Sequence, residues 1–148
     1  MRALLQRVSE ANVSVDKAIH SSINKGLLIL IGIENEDSEE DIEWLVKKIS
    51  QMRIFEDVDG KMNNSILDIS GELLVVSQFT LHANTKKGNR PSFIKAARPE
   101  KAIPLYENFI ESCQNILPTK AGVFGAEMKV ALINDGPVTI WLDSKNKE

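Results

Sequence analysis

Residues 26–33 of the chain are Gly-Leu-Leu-Ile-Leu-Ile-Gly-Ile, and they form its longest apolar stretch. The stretch is far shorter than the ~18 consecutive apolar residues of a membrane-spanning helix. A turn signal, Asn24-Lys25-Gly26, marks its beginning. A short apolar run bounded in this way predicts a buried β-strand, and therefore a fold built around a sheet.

The segments on either side supply further strands and two helices. Strands are predicted at residues 2–8, 12–16, 18–23, 72–81, 119–123, 127–134 and 138–143, with a turn or hairpin at 55–64 and a long loop at 82–98. A helix at 38–53 begins with a capping box of Ser38 and Asp41, and a second helix spans 99–115. Each helix has one apolar face, so both are expected to cover the same side of the β layer. We therefore predict one strand-rich, mixed α/β domain over residues 1–148.

The composition excludes several classes of protein. Apolar residues make up 43% of the 148 residues, which is enough for the core of one domain. The single cysteine, Cys113, permits no disulfide or cysteine-based metal site within the chain, and this suits the cytoplasm. The N-terminal residues predict a strand rather than a signal peptide, no membrane span is expected, and no residue cluster suggests a metal.

The net charge of −3 conceals a separation of charge along the chain. Residues 34–43 hold seven acids and no base, so the rest of the chain carries about +4. Between residues 86 and 101 a single acid accompanies six bases, which are Lys86, Lys87, Arg90, Lys95, Arg98 and Lys101. This basic segment is either a phosphate-binding surface or a solvated loop, and charge alone does not separate the two.

An unusual turn sequence, Asn134-Asp135-Gly136-Pro137-Val138-Thr139, lies between the last two predicted strands. Asp-Gly in such a place normally predicts a two-residue hairpin, which residue 137 would close by donating a backbone hydrogen bond. Proline has no N–H to donate. The segment is therefore either an ordinary irregular loop or a bend that presents backbone groups for recognition. A Gly–Pro bond can be cis at modest cost.

A second candidate site is the end of the predicted strand 72–81, at Val76-Ser77-Gln78-Phe79-Thr80-Leu81. On a strand, Ser77 and Phe79 would share one face, and Gln78 and Thr80 would share the other. Such polar groups beside the basic segment predict either the rim of a pocket or simple hydrogen bonding at a strand end. His82 follows directly, and its participation in chemistry stays open.

Taken in order, these segments resemble the D-aminoacyl-tRNA deacylases of the bacterial and eukaryotic type. The two diagnostic motifs are SQFTL at 77–81 and NxGPxT at 134–139. Supporting stretches are RIFED at 53–57, GKMN at 60–63, KGNRPSF at 87–93 and FGAEMKV at 124–130. The resemblance covers nearly the whole chain. It implies the fold of that family, a barrel-like mixed sheet with two helices packed on one side.

The resemblance also implies an activity and a set of site residues. The family hydrolyses the ester between a D-amino acid and the terminal adenosine of tRNA, and it also removes glycine. The resemblance also implies a homodimer with its sites at the interface, and it implies no metal or organic cofactor. A cis Gly136–Pro137 bond would reach into the partner's site and exclude L-amino acids. The remaining implied residues are Ser77, Gln78, Phe79 and Thr80 in the catalytic pocket, Met128 at the adenine, and Asn134 and Thr139 in the substrate-binding motif.

Two mechanisms remain open for such an enzyme. The ribose 2′-hydroxyl can help to activate water, while the N–H groups of Phe79 and Thr80 stabilise the oxyanion. Alternatively, Thr80 is a covalent nucleophile, although no activating base is in sequence reach. Lys86, Lys87 and Arg90 are expected to contact tRNA phosphates in either case. The alternative from another class is a non-catalytic tRNA-binding module, which an ester-hydrolysis assay would distinguish.

Overall fold

Strand β3 (Gly26–Gly32) lies in the middle of the sheet in the computed structural model, which describes all residues from 1 to 148. It pairs antiparallel with β1 (Arg2–Val15) and parallel with β6 (Glu72–Ser77). Every residue of β3 except Leu30 is buried. The strand predicted from the apolar run is therefore confirmed, and it is covered on both faces.

The remaining elements follow the predicted order. The other strands are β2 (Ala18–Ile23), β4 (Phe55–Glu56), β5 (Met62–Asn64), β7 (Thr119–Ala121) and β8 (Lys129–Asp143). The helices are α1 (Glu39–Gln51) and α2 (Pro99–Gln114), with a 3₁₀ helix at Phe79–His82. Strands β4 and β5 form a separate hairpin, as expected for residues 55–64. None of the helices has the length and apolar character needed to cross a membrane.

The main sheet has six strands and curls into a nearly closed barrel. Its order is β2-β1-β3-β6-β7, and β8 pairs with β1 along the edge that β2 and β3 leave free. The two ends of the sheet approach each other. The Ser21 hydroxyl donates to the carbonyl of Ala121 (2.8 Å), and the Lys120 ammonium donates to that of Ser22 (2.6 Å). Pairing is antiparallel around β1 and parallel from β3 to β7, so the predicted mixed sheet is confirmed.

Two apolar layers lie on opposite faces of this sheet. Leu27, Ile29 and Ile31 of β3 pack with the helices in a cluster of 22 buried residues. Leu28 faces the inside of the barrel, in a cluster of 7. Because successive side chains of a strand point to opposite faces, one strand must supply both layers. This explains why the run at 26–33 has no polar alternation.

Both helices pack on the outer face of the sheet, as predicted. The capping box at the start of α1 is present, with Ser38 as the N-cap and Asp41 completing it. The buried apolar residues are Ile42, Leu45, Val46 and Ile49 in α1, and Ala102, Tyr106, Phe109 and Cys113 in α2. Full burial of a large apolar side chain, such as leucine or phenylalanine, stabilises the fold by about 1.5–3 kcal/mol.

Two predicted strand breaks are wrong. Strand β1 runs without interruption from Arg2 to Val15. Its pairing with β8 shifts register on both sides of Val8, and these shifts accommodate the polar residues in the middle of the strand. Strand β8 likewise continues through the Gly-Pro segment instead of reversing there. Gln6 of β1 pairs with Thr139, and Val8 pairs with Asn134. Because both halves of β8 pair with the same strand, the segment is a bulge and not a hairpin.

A cluster of charged groups ties the C-terminal residues to the start of α1. The Asp41 carboxylate accepts hydrogen bonds from the Ser144 hydroxyl (2.6 Å), the Lys145 ammonium (2.8 Å) and the Ser38 amide (2.8 Å). The amino group of Met1 donates to the same Ser144 hydroxyl (2.8 Å). Burial alone would raise the pKa of Asp41, but these hydrogen bonds, led by that of Lys145, hold it well below its usual range.

Replacing Asp41 tests this cluster. A carboxylate whose pKa is lowered by folding stabilises the fold above its unfolded pKa of about 3.9, and that stabilisation is lost as the pH falls. We therefore expect Asp41→Asn to lower the Tm at about pH 7 and to lower it by a smaller amount at about pH 2, because the stabilisation is lost only as the pH falls toward the lowered pKa of the folded state. Circular dichroism melting measures both values. Glu43→Gln, on the exposed side of α1, is the control; an equal deficit for Asp41→Asn at both pH values would contradict the argument.

Candidate active site

The carboxyl ends of β3 and β6 meet at one edge of the sheet because these two strands are parallel. Ser77, the last residue of β6, pairs with Ile31 of β3. The carbonyl of Ile31 then accepts a hydrogen bond from the amide of Gln78 (2.7 Å). Ligands commonly bind outside the carboxyl ends of parallel strands. The polar strand end singled out in the sequence lies at this position.

The chain leaves the strand at Ser77 rather than at Leu81. Gln78 has a φ of −144° and a ψ of 79°, and a 3₁₀ helix follows it. The predicted alternation of side chains along a strand to residue 81 is therefore wrong. Gln78 and Thr80 nevertheless meet, because Nε2 of Gln78 donates to Oγ1 of Thr80 (2.5 Å).

Two amide groups at the start of this 3₁₀ helix have no partner. The first N–H groups of any helix lack an acceptor within the helix. Here the amides of Phe79 and Thr80 donate to no side chain and to no carbonyl of a turn or loop. Both residues are exposed. Two adjacent donors are therefore available to an oxygen atom of a ligand.

A small pocket of about 90 Å³ lies beside these residues. Ser77, Gln78 and Phe79 form one wall. The other lining residues are mostly apolar: Ile31, Ile33, Ala97, Ala102, Phe124 and Gly125. An apolar pocket with a few polar groups on one wall is typical of a site for a small ligand group. No group of three or more His, Cys, Asp or Glu side chains is placed to hold a metal ion.

Tyr106 of α2 fixes the pocket from behind. Its hydroxyl donates to the carbonyl of Val75 in β6 (3.0 Å), and its ring centroid lies 5.6 Å from that of Phe124. Burial raises the pKa of Tyr106 to about 12, so the hydroxyl keeps its proton at neutral pH. Helix α2 therefore supports both the strand end and the opposite wall of the pocket.

The second motif, at Gly136–Pro137, forms the bulge in β8. The peptide bond between these two residues is cis, as predicted. Gly136 has a φ of 134°, a conformation that favours glycine. A Cβ at this position would also lie 2.9 Å from Nη2 of Arg7. Only glycine fits here, because both the backbone angle and the neighbouring guanidinium exclude a side chain.

Arg7 holds the bulge in place. Its side chain is only 5% exposed. Nε donates to the carbonyl of Asp135 (2.9 Å), and Nη1 donates to the carbonyl of Ile54 (2.7 Å). A buried guanidinium is tolerated when its donors are satisfied. Arg7 thus joins the Gly136–Pro137 segment to the chain that precedes β4.

Asn134 and Thr139 stand at the two ends of the bulge. The Asn134 amide donates to the carbonyl of Val138 (3.2 Å), across the Gly-Pro segment. The Thr139 hydroxyl accepts a long hydrogen bond from the Gln6 amide (3.5 Å). In this chain, therefore, both residues brace the backbone of the motif.

The two motifs lie apart within one chain. Arg7, beside the bulge, pairs with Leu27 near the start of β3, whereas the pocket lies at Ile31 near its end. Four residues along a strand span roughly 13 Å. No residue between 134 and 139 lines the pocket. The structure does not bring Gly136–Pro137 to the pocket of its own chain.

Met128 is the last residue of the loop that precedes β8. It packs on Gly122, where a Cβ would stand 2.6 Å from its sulfur atom. Its side chain is partly buried against the cluster inside the barrel. Phe124 and Gly125, from the same loop, line the pocket instead.

The basic residues expected to bind phosphate lie at the tip of an exposed loop. Lys86, Lys87 and Arg90 are exposed and take part in none of the ion pairs. Two backbone hydrogen bonds between Asn84 and Ser92 (2.8 and 3.0 Å) close the loop at its base. Positive charge is thus presented to solvent on a closed loop.

Phe93 connects this loop to the pocket. Its ring stands nearly perpendicular to that of Phe79, with 5.1 Å between the centroids. His82 does not line the pocket; it is 2% exposed and lies at the end of the 3₁₀ helix. The loop and the pocket wall are therefore neighbours, with an aromatic contact between them.

Three residues that shape the site were not predicted from the sequence: Arg7, Phe93 and Phe124. Arg7 did carry a signal, because it is a charged residue inside a strand whose neighbours Leu5 and Val8 are apolar. Burial of such a group requires partners from another part of the chain. The two phenylalanines carried no signal beyond their place in the supporting stretches, since the residues they contact are distant in sequence.

Comparison with known proteins identifies the family. Residues 4–143 match the family described as D-Tyr-tRNA(Tyr) deacylase. The chain is 61% identical to a D-aminoacyl-tRNA deacylase of Bacteroides fragilis, with 100% of both chains covered. It is 62% identical to a protein of the same name from Cytophaga hutchinsonii, again with 100% of both covered.

Solved structures share the fold. The chain superimposes on the "c-Myc DNA Unwinding Element Binding Protein" with a TM-score of 0.92 and 42% identity, covering 97% of this chain and 98% of the other. A structure titled "Structural Analysis of a probable eukaryotic D-amino acid tRNA deacylase" gives a TM-score of 0.81 at 17% identity, covering 95% and 97%. The second likeness concerns the fold alone. The resemblance drawn from the two motifs is confirmed: the chain belongs to the D-Tyr-tRNA(Tyr) deacylase family.

Proposed function

We propose that this protein hydrolyses the ester between a D-amino acid, or glycine, and the terminal adenosine of tRNA. The observation that carries the proposal is the pair of unpartnered amides at Phe79 and Thr80, beside the pocket wall of Ser77 and Gln78. The names of the relatives support the same reaction. The tRNA substrate and the single cysteine support a cytoplasmic location.

The two amides suit the transition state of ester hydrolysis. Attack on the ester carbonyl moves negative charge onto its oxygen atom, and fixed N–H donors stabilise that charge. The pocket positions the ester, and the neighbouring ribose 2′-hydroxyl assists water as the nucleophile. This chemistry requires little from acidic or basic side chains of the protein.

Water is a better nucleophile here than Thr80. A threonine hydroxyl needs a base to accept its proton. The side-chain partner of Thr80 is the amide nitrogen of Gln78, which donates to the hydroxyl and accepts no proton. His82 is buried and makes no hydrogen bond to Thr80. Thr80 does not line the pocket; it stands next to the pocket wall, where Gln78 holds its hydroxyl.

A second copy of the chain completes the site. Gly136–Pro137 lies away from its own pocket, so it can act on an ester only in another subunit. Strand β8, which carries the motif, pairs on one edge alone. It also leaves Ile133 (55%) and Trp141 (46%) exposed. In the proposed homodimer, the backbone carbonyls of the motif occupy the space that an L side chain would need, so L-aminoacyl-tRNA is rejected.

Selectivity tests this arrangement. A backbone wedge blocks any Cβ on the L side and ignores the rest of a D side chain, whereas a side-chain pocket would discriminate by ~1–3 kcal/mol for one methylene. We expect small, aromatic and charged D-aminoacyl-tRNAs, and also glycyl-tRNA, to be hydrolysed. Release of labelled amino acid at matched enzyme concentration is the measurement. Efficient cleavage of L-alanyl-tRNA would refute the wedge, and cleavage of no ester at all would leave the non-catalytic tRNA-binding module.

Substitution of Thr80 separates the two mechanisms. Loss of a true nucleophile costs on the order of 10⁶-fold in a serine protease. We expect Thr80→Ala to stay within about tenfold of wild type in kcat, because water attacks the ester. Gln78→Ala should reduce kcat further, since it removes part of the pocket wall. Gln51→Ala, at the exposed end of α1, is the matched control. Trapping of an aminoacyl ester on Thr80 would establish the covalent route.

The basic loop is tested by removing its charge. Changing Lys86, Lys87 and Arg90 together to alanine should raise the KM for charged tRNA. Each phosphate contact adds about 0.7–0.9 to the slope of log affinity against log salt, so the slope should also fall. Filter binding of tRNA across a salt series measures both quantities. Unchanged affinity and slope would show that the loop is only a solvated surface.

A further inference from the structure

An open hollow of about 380 Å³ lies at the far end of the 3₁₀ helix, next to the substrate pocket. The polar side chains that line the hollow are those of Arg2, His82, Asn84, Thr85, Lys86 and Lys95. No carboxylate lines it. The helix that separates the hollow from the pocket spans only Phe79–His82, and a 3₁₀ helix rises ~2.0 Å per residue. The hollow is therefore roughly 6 Å from the pocket wall.

His82 is an unpartnered polar group in this hollow. Its side chain is 2% exposed, and neither ring nitrogen has a hydrogen-bond partner. Buried imidazoles normally have at least one partner. The ring fits where it does because Gly32 has no side chain; a Cβ there would lie 3.0 Å from Cδ2 of His82. The ring is thus held beside the backbone of Gly32, and neither nitrogen has a partner at ordinary hydrogen-bond geometry.

One of the three cations around His82 is held by hydrogen bonds, and the other two have no ion-pair partner. Arg2 is fixed, because its guanidinium donates to the carboxylate of Asp143 (2.9 Å) and to the carbonyl of Leu81 (2.9 Å). Lys86 and Lys95 are exposed, and neither takes part in an ion pair. One fixed cation, two free ammonium groups and an unpartnered imidazole form a site suited to a phosphate oxygen.

We propose that this hollow holds a phosphodiester group of the tRNA 3′ end, within the first two nucleotides of the ester. The inference rests on the proposed function, since the pocket fixes where the ester lies. Lys86, Lys95 and His82 then surround a phosphate next to the reacting bond. The phosphate supplies the acceptor that His82 lacks, and it anchors the terminal adenosine on the pocket side of the 3₁₀ helix.

Two synthetic substrates test the site by hydrolysis. D-Alanyl-adenosine contains no phosphate, whereas the D-alanyl ester of the trinucleotide CCA carries phosphodiesters beside the ester. We expect wild type to favour the trinucleotide in kcat/KM. Lys86→Ala and Lys95→Ala should each reduce the ratio of the two kcat/KM values by roughly three- to fivefold. Lys47→Ala, an exposed lysine of α1 without an ion-pair partner, is the control.

Binding is tested separately from hydrolysis. Inorganic phosphate, and then the uncharged CCA trinucleotide, are titrated while the ring signals of the two histidines are followed by NMR. The signals of His82 should shift and saturate, whereas those of exposed His20 serve as the internal reference. In a Lys86→Ala/Lys95→Ala double variant, both ligands should shift His82 much less.

The outcomes separate this site from the proposed function. If wild type cleaves neither ester, the proposed function fails, while the NMR titration still decides whether the hollow binds phosphate. If wild type cleaves both esters and the lysine variants leave the ratio unchanged, the phosphate site is refuted and the deacylase stands. A response of His82 to inorganic phosphate but not to the trinucleotide would mean that the hollow takes a free anion, and it would also overturn the proposal.

Discussion

The parallel pairing of β3 with β6 is the constraint on which the rest of the molecule depends. Parallel strands are stable when both of their faces are covered, and here the helices cover one face while the inside of the barrel covers the other. The same pairing brings the end of β3 beside Ser77 and fixes the amide of Gln78 on Ile31. Ile31 and Gln78, which this hydrogen bond joins, both line the pocket, and the 3₁₀ helix with its free amides starts at the next residue.

A second constraint acts at the other end of the barrel. Arg7 is a buried cation in β1, and its donors are satisfied by the carbonyls of Asp135 and Ile54. These bonds hold the Gly136–Pro137 bulge in one position relative to the barrel. A backbone that rejects one enantiomer by steric contact must not move when the wrong side chain approaches it. The buried guanidinium of Arg7 makes the Gly136–Pro137 backbone rigid enough for such rejection.

Charge separation in the sequence has a structural counterpart. The acidic segment at the start of α1 engages the chain termini through Asp41, and Glu34 pairs through its backbone with Ala96 at the end of the basic loop. Lys101 of α2 also donates to the carbonyl of Asn35. Acidic and basic segments therefore meet at the base of the loop, while Lys86, Lys87 and Arg90 stay free at its tip.

The sequence by itself determined the central strand, both helices, the capping box and the two motifs, because these depend on local periodicity and on residue types such as proline. It placed breaks in β1 and β8 wrongly, since the polar Ser9 and the Gly136–Pro137 pair resemble turns until a partner strand is seen to continue past them. Only the tertiary structure decided that Arg7 braces the bulge, that Phe124 lines the pocket, and that the two motifs lie apart in one chain. The physical reason is that pairing register and the burial of a charge depend on residues far away in the sequence, which no local pattern encodes.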